Sequence, residues 1–228
     1  MDMIAYRRML ARTVSALVLA GAFVVVSAER ADAALIVWIC NDAACVAGGD
    51  TMVVDNGVGD ENPAEGRIGV FVSDGHASEF ASSYPSAGTQ TSPILSLNYD
   101  IDQAGFADIG TPYFYATQDD FLATGTLGIV ANATAGGGTV DVFSGAGSFT
   151  PPGVAPIFNC LLDCTGSAPT FGSTPYFLAI RVNPTAGTGG GARGDVTVQS
   201  VPDGGTTATL LGSVLVAVGL LRRRYGNG

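Results

Sequence analysis

Residues 92–102 read SPILSLNYDID, with Leu95, Leu97, Tyr99 and Ile101 on alternate positions and Ser96, Asn98, Asp100 and Asp102 between them. Successive side chains of a strand point to opposite faces, so this stretch buries one face and wets the other only as a β-strand. The beat recurs. RIGVFVS puts Ile68, Val70 and Val72 together and runs into Asp74-Gly75, a favoured hairpin dipeptide. GTLGIVANAT, GTVDVFSG, TPYFLAIRVN and GDVTVQSV repeat it, with Leu178, Ile180 and Val182 alternating against Ala179, Arg181 and Asn183. Clusters such as GTQTSP, TAGGG and PTAGTGGGARG separate these segments as turns. Between the termini no dozen residues show helical periodicity, and no internal repeat is evident. About eight to ten short strands with long turns predict an all-β fold, an antiparallel β-sandwich of jelly-roll or Ig-like form.

A chain of 228 residues is long enough for one real core. The charge is unevenly placed. All 10 basic residues are arginines, and between residues 34 and 200 only Arg67, Arg181 and Arg193 stand against 16 acidic residues, a formal charge of 3 − 16 = −13. Phosphate binding needs the opposite sign, so nucleic acid is not expected as a partner.

Both ends are apolar. The first segment has Arg7, Arg8 and Arg12 ahead of a 14-residue apolar core, Thr13 to Val26, followed by Ala31 and Ala33 at signal-peptidase spacing. An anchor needs about 20 apolar residues. Residues 1–33 therefore read as a signal helix cleaved before Ala34, with residues 34–200 as the exported domain. At the other end Ala208 to Leu221 is uncharged, and Arg222, Arg223 and Arg224 close it. Residues 206–221 read as a short transmembrane helix, and the basic tail 222–228 stays cytoplasmic by the positive-inside rule. Both ends agree on one topology.

Ahead of that helix stands Val201-Pro202-Asp203-Gly204-Gly205, kept extended by its proline and glycines. The order of motif, short apolar helix and arginine cluster over residues 201–228 resembles the PEP-CTERM family of protein-sorting signals, in its VPDSG-type variant. Asp203 and Gly204 stand where the commoner motif has Glu-Pro. The resemblance implies recognition by an exosortase, a membrane cysteine protease acting at the motif, with the membrane as a temporary partner and an exopolysaccharide setting. The stretch from Asn41 to Ser73, with a cysteine pair ahead of a Gly59-Asp60-Glu61-Asn62-Pro63 turn, resembles the start of many such exported proteins. It implies a β-rich surface or matrix domain that is not an enzyme.

Cys40, Cys45, Cys160 and Cys164 all follow the signal segment, so in an oxidising compartment they read as two disulfides with three connectivities open. Pairing within each close pair is favoured; cross-linked pairings would restrain the unfolded chain more. A four-cysteine zinc site is a minor alternative.

Catalytic signals are weak. The single histidine, His76, lies near Ser73, Asp74 and Ser78 without a nucleophile-elbow pattern, and reads as a surface turn residue. Asp119-Asp120, Asp100 with Asp102, and Asp60-Glu61 are the carboxylate pairs a glycan hydrolase would need across a cleft. Gly189, Gly191 and Gly194 match G-x-G-x-x-G but precede a strand pattern, which reads as a hairpin loop. Asp50, Asp55, Asp60, Glu61 and Glu65 form an acidic loop that could bind calcium, though without EF-hand spacing. No other cofactor is expected. Tyr113, Phe114 and Tyr115 are the aromatics a carbohydrate-binding module would expose, or a strand would bury.

Overall fold

The computed structural model describes residues 34–46, 48–84, 86–170 and 172–201. The expected signal helix and the short C-terminal transmembrane helix lie outside these residues. Among the described residues no helix is long and apolar enough to cross a membrane.

Thirteen strands run in chain order: β1 (Ile36–Cys40), β2 (Thr51–Val54), β3 (Arg67–Val72), β4 (Ala77–Ser82), β5 (Gly88–Thr89), β6 (Ser92–Ile101), β7 (Tyr113–Phe121), β8 (Thr126–Ala135), β9 (Gly137–Ala146), β10 (Phe158–Leu161), β11 (Cys164–Pro169), β12 (Tyr176–Thr185) and β13 (Ala192–Val201). They pair antiparallel throughout. Sheet A has the order β10-β9-β12-β7-β1-β2, and sheet B the order β11-β8-β13-β6-β4-β3, with β5 beside β6. The chain is thus an antiparallel two-sheet sandwich. A seven-residue helix, α1 (Gln103–Ile109), follows β6 and is the one element the alternation did not announce.

The alternating runs do what their period demands. Leu95, Leu97, Tyr99 and Ile101 of β6 face inward with Val196 and Val198 of β13, and meet Phe114, Leu178, Ile180 and Val182 of sheet A. Burying a side chain of this size stabilises the fold by about 1.5–3 kcal/mol each. Gly136, at φ +75°, turns the chain from β8 in sheet B to β9 in sheet A, and a Cβ there would meet Thr185 O at 2.6 Å or less. Only glycine accepts that conformation without strain.

Sheet A is covered on its outer face as well. Trp38, Tyr115, Phe143, Phe177 and Ala179 form a second cluster with Phe149, which arrives from the loop between β9 and β10. Asp119 anchors that loop through hydrogen bonds from Ser148 and the Phe149 N–H. Beside the cluster the Asp141 carboxylate takes bonds from Arg181 at 2.7 and 2.9 Å and from Asn159 at 2.6 Å, and Arg181 lies 5.3 Å from the Phe143 ring centre. A buried acid at this place is tolerated because it is paired and hydrogen-bonded.

The four cysteines pair within their close pairs, Cys40 with Cys45 and Cys160 with Cys164. The second bond links β10 at the edge of sheet A to β11 at the edge of sheet B. At the opposite side, β3 is the edge of sheet B. There the acidic loop closes the exposed backbone: Glu61 N–H donates to Gly69 O at 2.8 Å, and Gly69 N–H donates to Asp60 at 3.1 Å. Covering an edge strand with a charged loop blocks pairing with other chains.

Candidate functional site

The carboxylates singled out as catalytic pairs are engaged elsewhere. Asp119 and Asp120 lie where β7 has two residues opposite one of β12, between the Phe121–Tyr176 and Gln118–Leu178 partners. This is a β-bulge, and Asp120 takes its left-handed residue, φ +64°. Burial raises the Asp119 carboxyl above its ordinary value. Asp100 is paired with Arg193 across the β6–β13 ladder. Asp102 does not continue the strand: it caps α1, accepting from Gly105 N–H at 3.0 Å and contacting His76 Nδ1 at 2.7 Å. Both acids line one open hollow of about 530 Å³, but as members of separate contacts.

The His76–Asp102 contact ties the β3–β4 hairpin tip, where Ser73, Asp74 and Gly75 all have positive φ, to the start of α1. Both side chains are exposed. The Asp102 hydrogen bond and charge raise the imidazole above its ordinary value, while Gly105 N–H, then His76, hold Asp102 low. Among the described residues no serine hydroxyl bonds to this pair.

The acidic loop is a set of backbone pins. Asp55 accepts from Gly66 N–H at 2.6 Å, and Asp60 from Asn56, Asn62 and Gly69 N–H groups. Asp50 accepts from Asn41 N–H at 3.0 Å. Burial, then Asp60 and Glu65, raise the Asp55 carboxyl, opposed by the Gly66 bond. Among the described residues no three acidic, histidine or cysteine groups gather to hold a metal ion. Gly189 and Gly191 lie in the loop between β12 and β13, Gly194 lies inside β13, and no helix follows.

The expected aromatic platform is a correction. Phe114 is packed in the main core, Tyr115 in the second cluster with its hydroxyl on Ala43 O at 2.5 Å, and Tyr113 is half-buried. The alternation explains this: consecutive residues of β7 face two covered sides of sheet A. The exposed aromatics are Phe71 and Phe80, on the outer face of sheet B, with rings 5.4 Å apart at 81°.

Phe80 owes its exposure to an unexpected register. In β4, ASEFAS, Glu79 shares the inward side with Ala77 and Ala81, while Phe80 points outward with Ser82. Glu79 stands between Val70 of β3 and Tyr99 of β6. It is fully buried, and neither carboxyl oxygen has a hydrogen-bond partner among the described groups. Desolvation pushes its carboxyl well above the ordinary glutamate value.

The last strand defines the remaining site. Val201 ends β13, pairing with Thr126 of β8, so the Val201–Gly205 motif begins where the sandwich stops. Pro202 to Gly205 and Arg222, Arg223 and Arg224 lie outside the described residues. A β-sandwich held by two disulfides, ending directly in a C-terminal sorting motif, defines the class: an exported, sorting-signal-bearing protein. Residues 200–225 match the family model of the VPDSG-CTERM motif, a PEP-CTERM-type sorting signal variant. No curated protein matches the chain. The family match covers the tail and leaves the sandwich without a relative.

Proposed function

We propose that this is a noncatalytic surface or extracellular-matrix protein, exported by signal peptidase cleavage of residues 1–33 and then processed at Val201–Gly205 by an exosortase-type membrane protease. The observation that carries the reading is the placement of the motif. β13 is an interior strand of sheet B, and Val201 is still paired when the motif begins. Only residues 202–205 separate it from the apolar run, a reach of at most about 14 Å. The end of the sandwich carrying Leu122, Thr126 and Val201 therefore faces the membrane while the tail is held there. The remaining apolar stretch, about 21 Å as a helix, is short for a hydrocarbon core of about 30 Å, which suits temporary retention. Arg222, Arg223 and Arg224 hold its orientation from the cytoplasmic side.

The engagement of Asp60, Asp100, Asp102 and Asp119 in structural contacts supports the noncatalytic part of the reading. The glycan-hydrolase reading has no free carboxylate pair left among those named, and the carbohydrate-binding reading loses the three aromatics first assigned to it.

Deleting residues 206–228 tests the proposal. The truncated protein is expected to leave the membrane fraction and to lose the size change that accompanies processing. Unchanged location and unchanged gel mobility would refute it.

A further inference from the structure

The outer face of sheet B holds an arrangement that folding alone does not explain. Burial favours Phe inside and Glu outside, and a one-residue slip of β4 would achieve that. The strand does the reverse, with Phe80 exposed and Glu79 in the core. Local choices that run against burial mark functional positions more often than ordinary surface.

The exposed ring is fixed in place. It fills the space a Gly69 side chain would take, with ring atoms 3.0 and 3.2 Å from where that Cβ would stand, and Phe71 meets it edge to face. Hollows flank it on either side: one of about 310 Å³ bordered by Asp100, Arg193 and Asp195, and one of about 220 Å³ bordered by Asn62 and Arg67. Asn98, directly opposite Phe80 across the β4–β6 ladder, lines both. Among the described residues its side-chain amide has no hydrogen-bond partner. The nearby charges are already matched, Asp100 by Arg193 and Asp195 by the Asn132 amide.

We propose that this face binds a neutral polysaccharide chain, with Phe80 stacking on the apolar C–H face of one sugar ring and the Asn98 amide bonding its hydroxyls. A fixed aromatic ring beside a free amide offers both things a pyranose presents, a C–H face and vicinal hydroxyl groups. Arg193, turned toward Asp100, borders the next position along the trough. The matched charges and the formal −13 of residues 34–200 select against an acidic polysaccharide, which would meet repulsion and no unpaired cation. The site is independent of how residues 202–228 are processed.

The test is native affinity electrophoresis of the purified protein through gels containing dextran, mixed-linkage β-glucan or galactomannan, with alginate as the acidic control. Retardation is expected in at least one neutral gel and not in alginate. Phe80→Ala and Asn98→Ala should each weaken it by about tenfold or more, equivalent to about 1.4 kcal/mol, with the thermal unfolding midpoint unchanged for Asn98→Ala. Absence of retardation in every neutral gel overturns the proposal. So does retardation that both variants retain, which would place glycan binding elsewhere. Self-association of the wild type that Phe80→Ala abolishes would also overturn it, making the face an interface between copies.

Discussion

Glu79→Gln probes the unusual register of β4 through proton linkage. In the unfolded chain the Glu79 carboxyl titrates near its ordinary value of 4.5, while in the fold desolvation holds it well above that. The folded state therefore binds one more proton than the unfolded state at every pH between those two values. Stability carried by the protonated acid is fully present below pH 4.5 and is lost as pH rises toward the folded value. One proton corresponds to about 1.4 kcal/mol per pH unit, so between pH 5.5 and 7.5 the wild type should lose about 2.7 kcal/mol relative to Glu79→Gln. Glutamine keeps the shape and does not titrate. The contributions of His76, Asp55 and Asp119 are common to both proteins and cancel in the difference. Tyr99 and Val70, the cross-strand neighbours, offer no charge to alter the result, and desolvation is the one influence acting on the carboxyl. Urea unfolding midpoints at pH 5.5, 6.5 and 7.5 measure it. Parallel stability curves for the two proteins would place Glu79 in solvent and Phe80 in the core, refuting the register and the glycan site with it.

Two further substitutions test the packing. Arg181→Met should cost about 3–5 kcal/mol by leaving Asp141 buried without its cation, while Arg181→Met with Asp141→Leu should recover most of that, both read by chemical denaturation. Replacing Cys160 and Cys164 by serine should cost about 2 kcal/mol, because the loop closed is short, and should speed amide exchange in β10 and β11 before the centre of either sheet.

Much of the fold was legible in the residues. β6, β8, β12 and β13 carry ten-residue stretches whose inward faces follow period two, because each has one side on the main core. The short strands β2, β5, β10 and β11 were not legible, since their pairing is set by neighbours and by the Cys160–Cys164 link rather than by alternation. α1 is too short to display a helical period; its signal was Asp102, whose capping role a strand reading absorbed as one more outward residue. The second cluster depended on Phe149, a loop residue whose contacts with Trp38 and Phe177 come from distant sequence. Tyr115 was misread for that reason. The exposed pair did leave a trace: Phe71 falls out of phase with Ile68, Val70 and Val72, and Phe80 falls out of phase with Ala77 and Ala81. The sorting motif was legible because it is read as linear sequence, whereas the outer face of sheet B exists only once β3, β4, β6 and β13 lie side by side.

The central claim is that the chain is handed on at its last strand. Mass spectrometry of the C-terminus of the protein recovered from its own cell envelope, with and without the candidate protease, tests it directly. The account predicts a terminus within Val201–Gly205 when the protease is present, and the tail through Arg222–Arg224 when it is absent. A chain ending at Gly228 in both samples would contradict it.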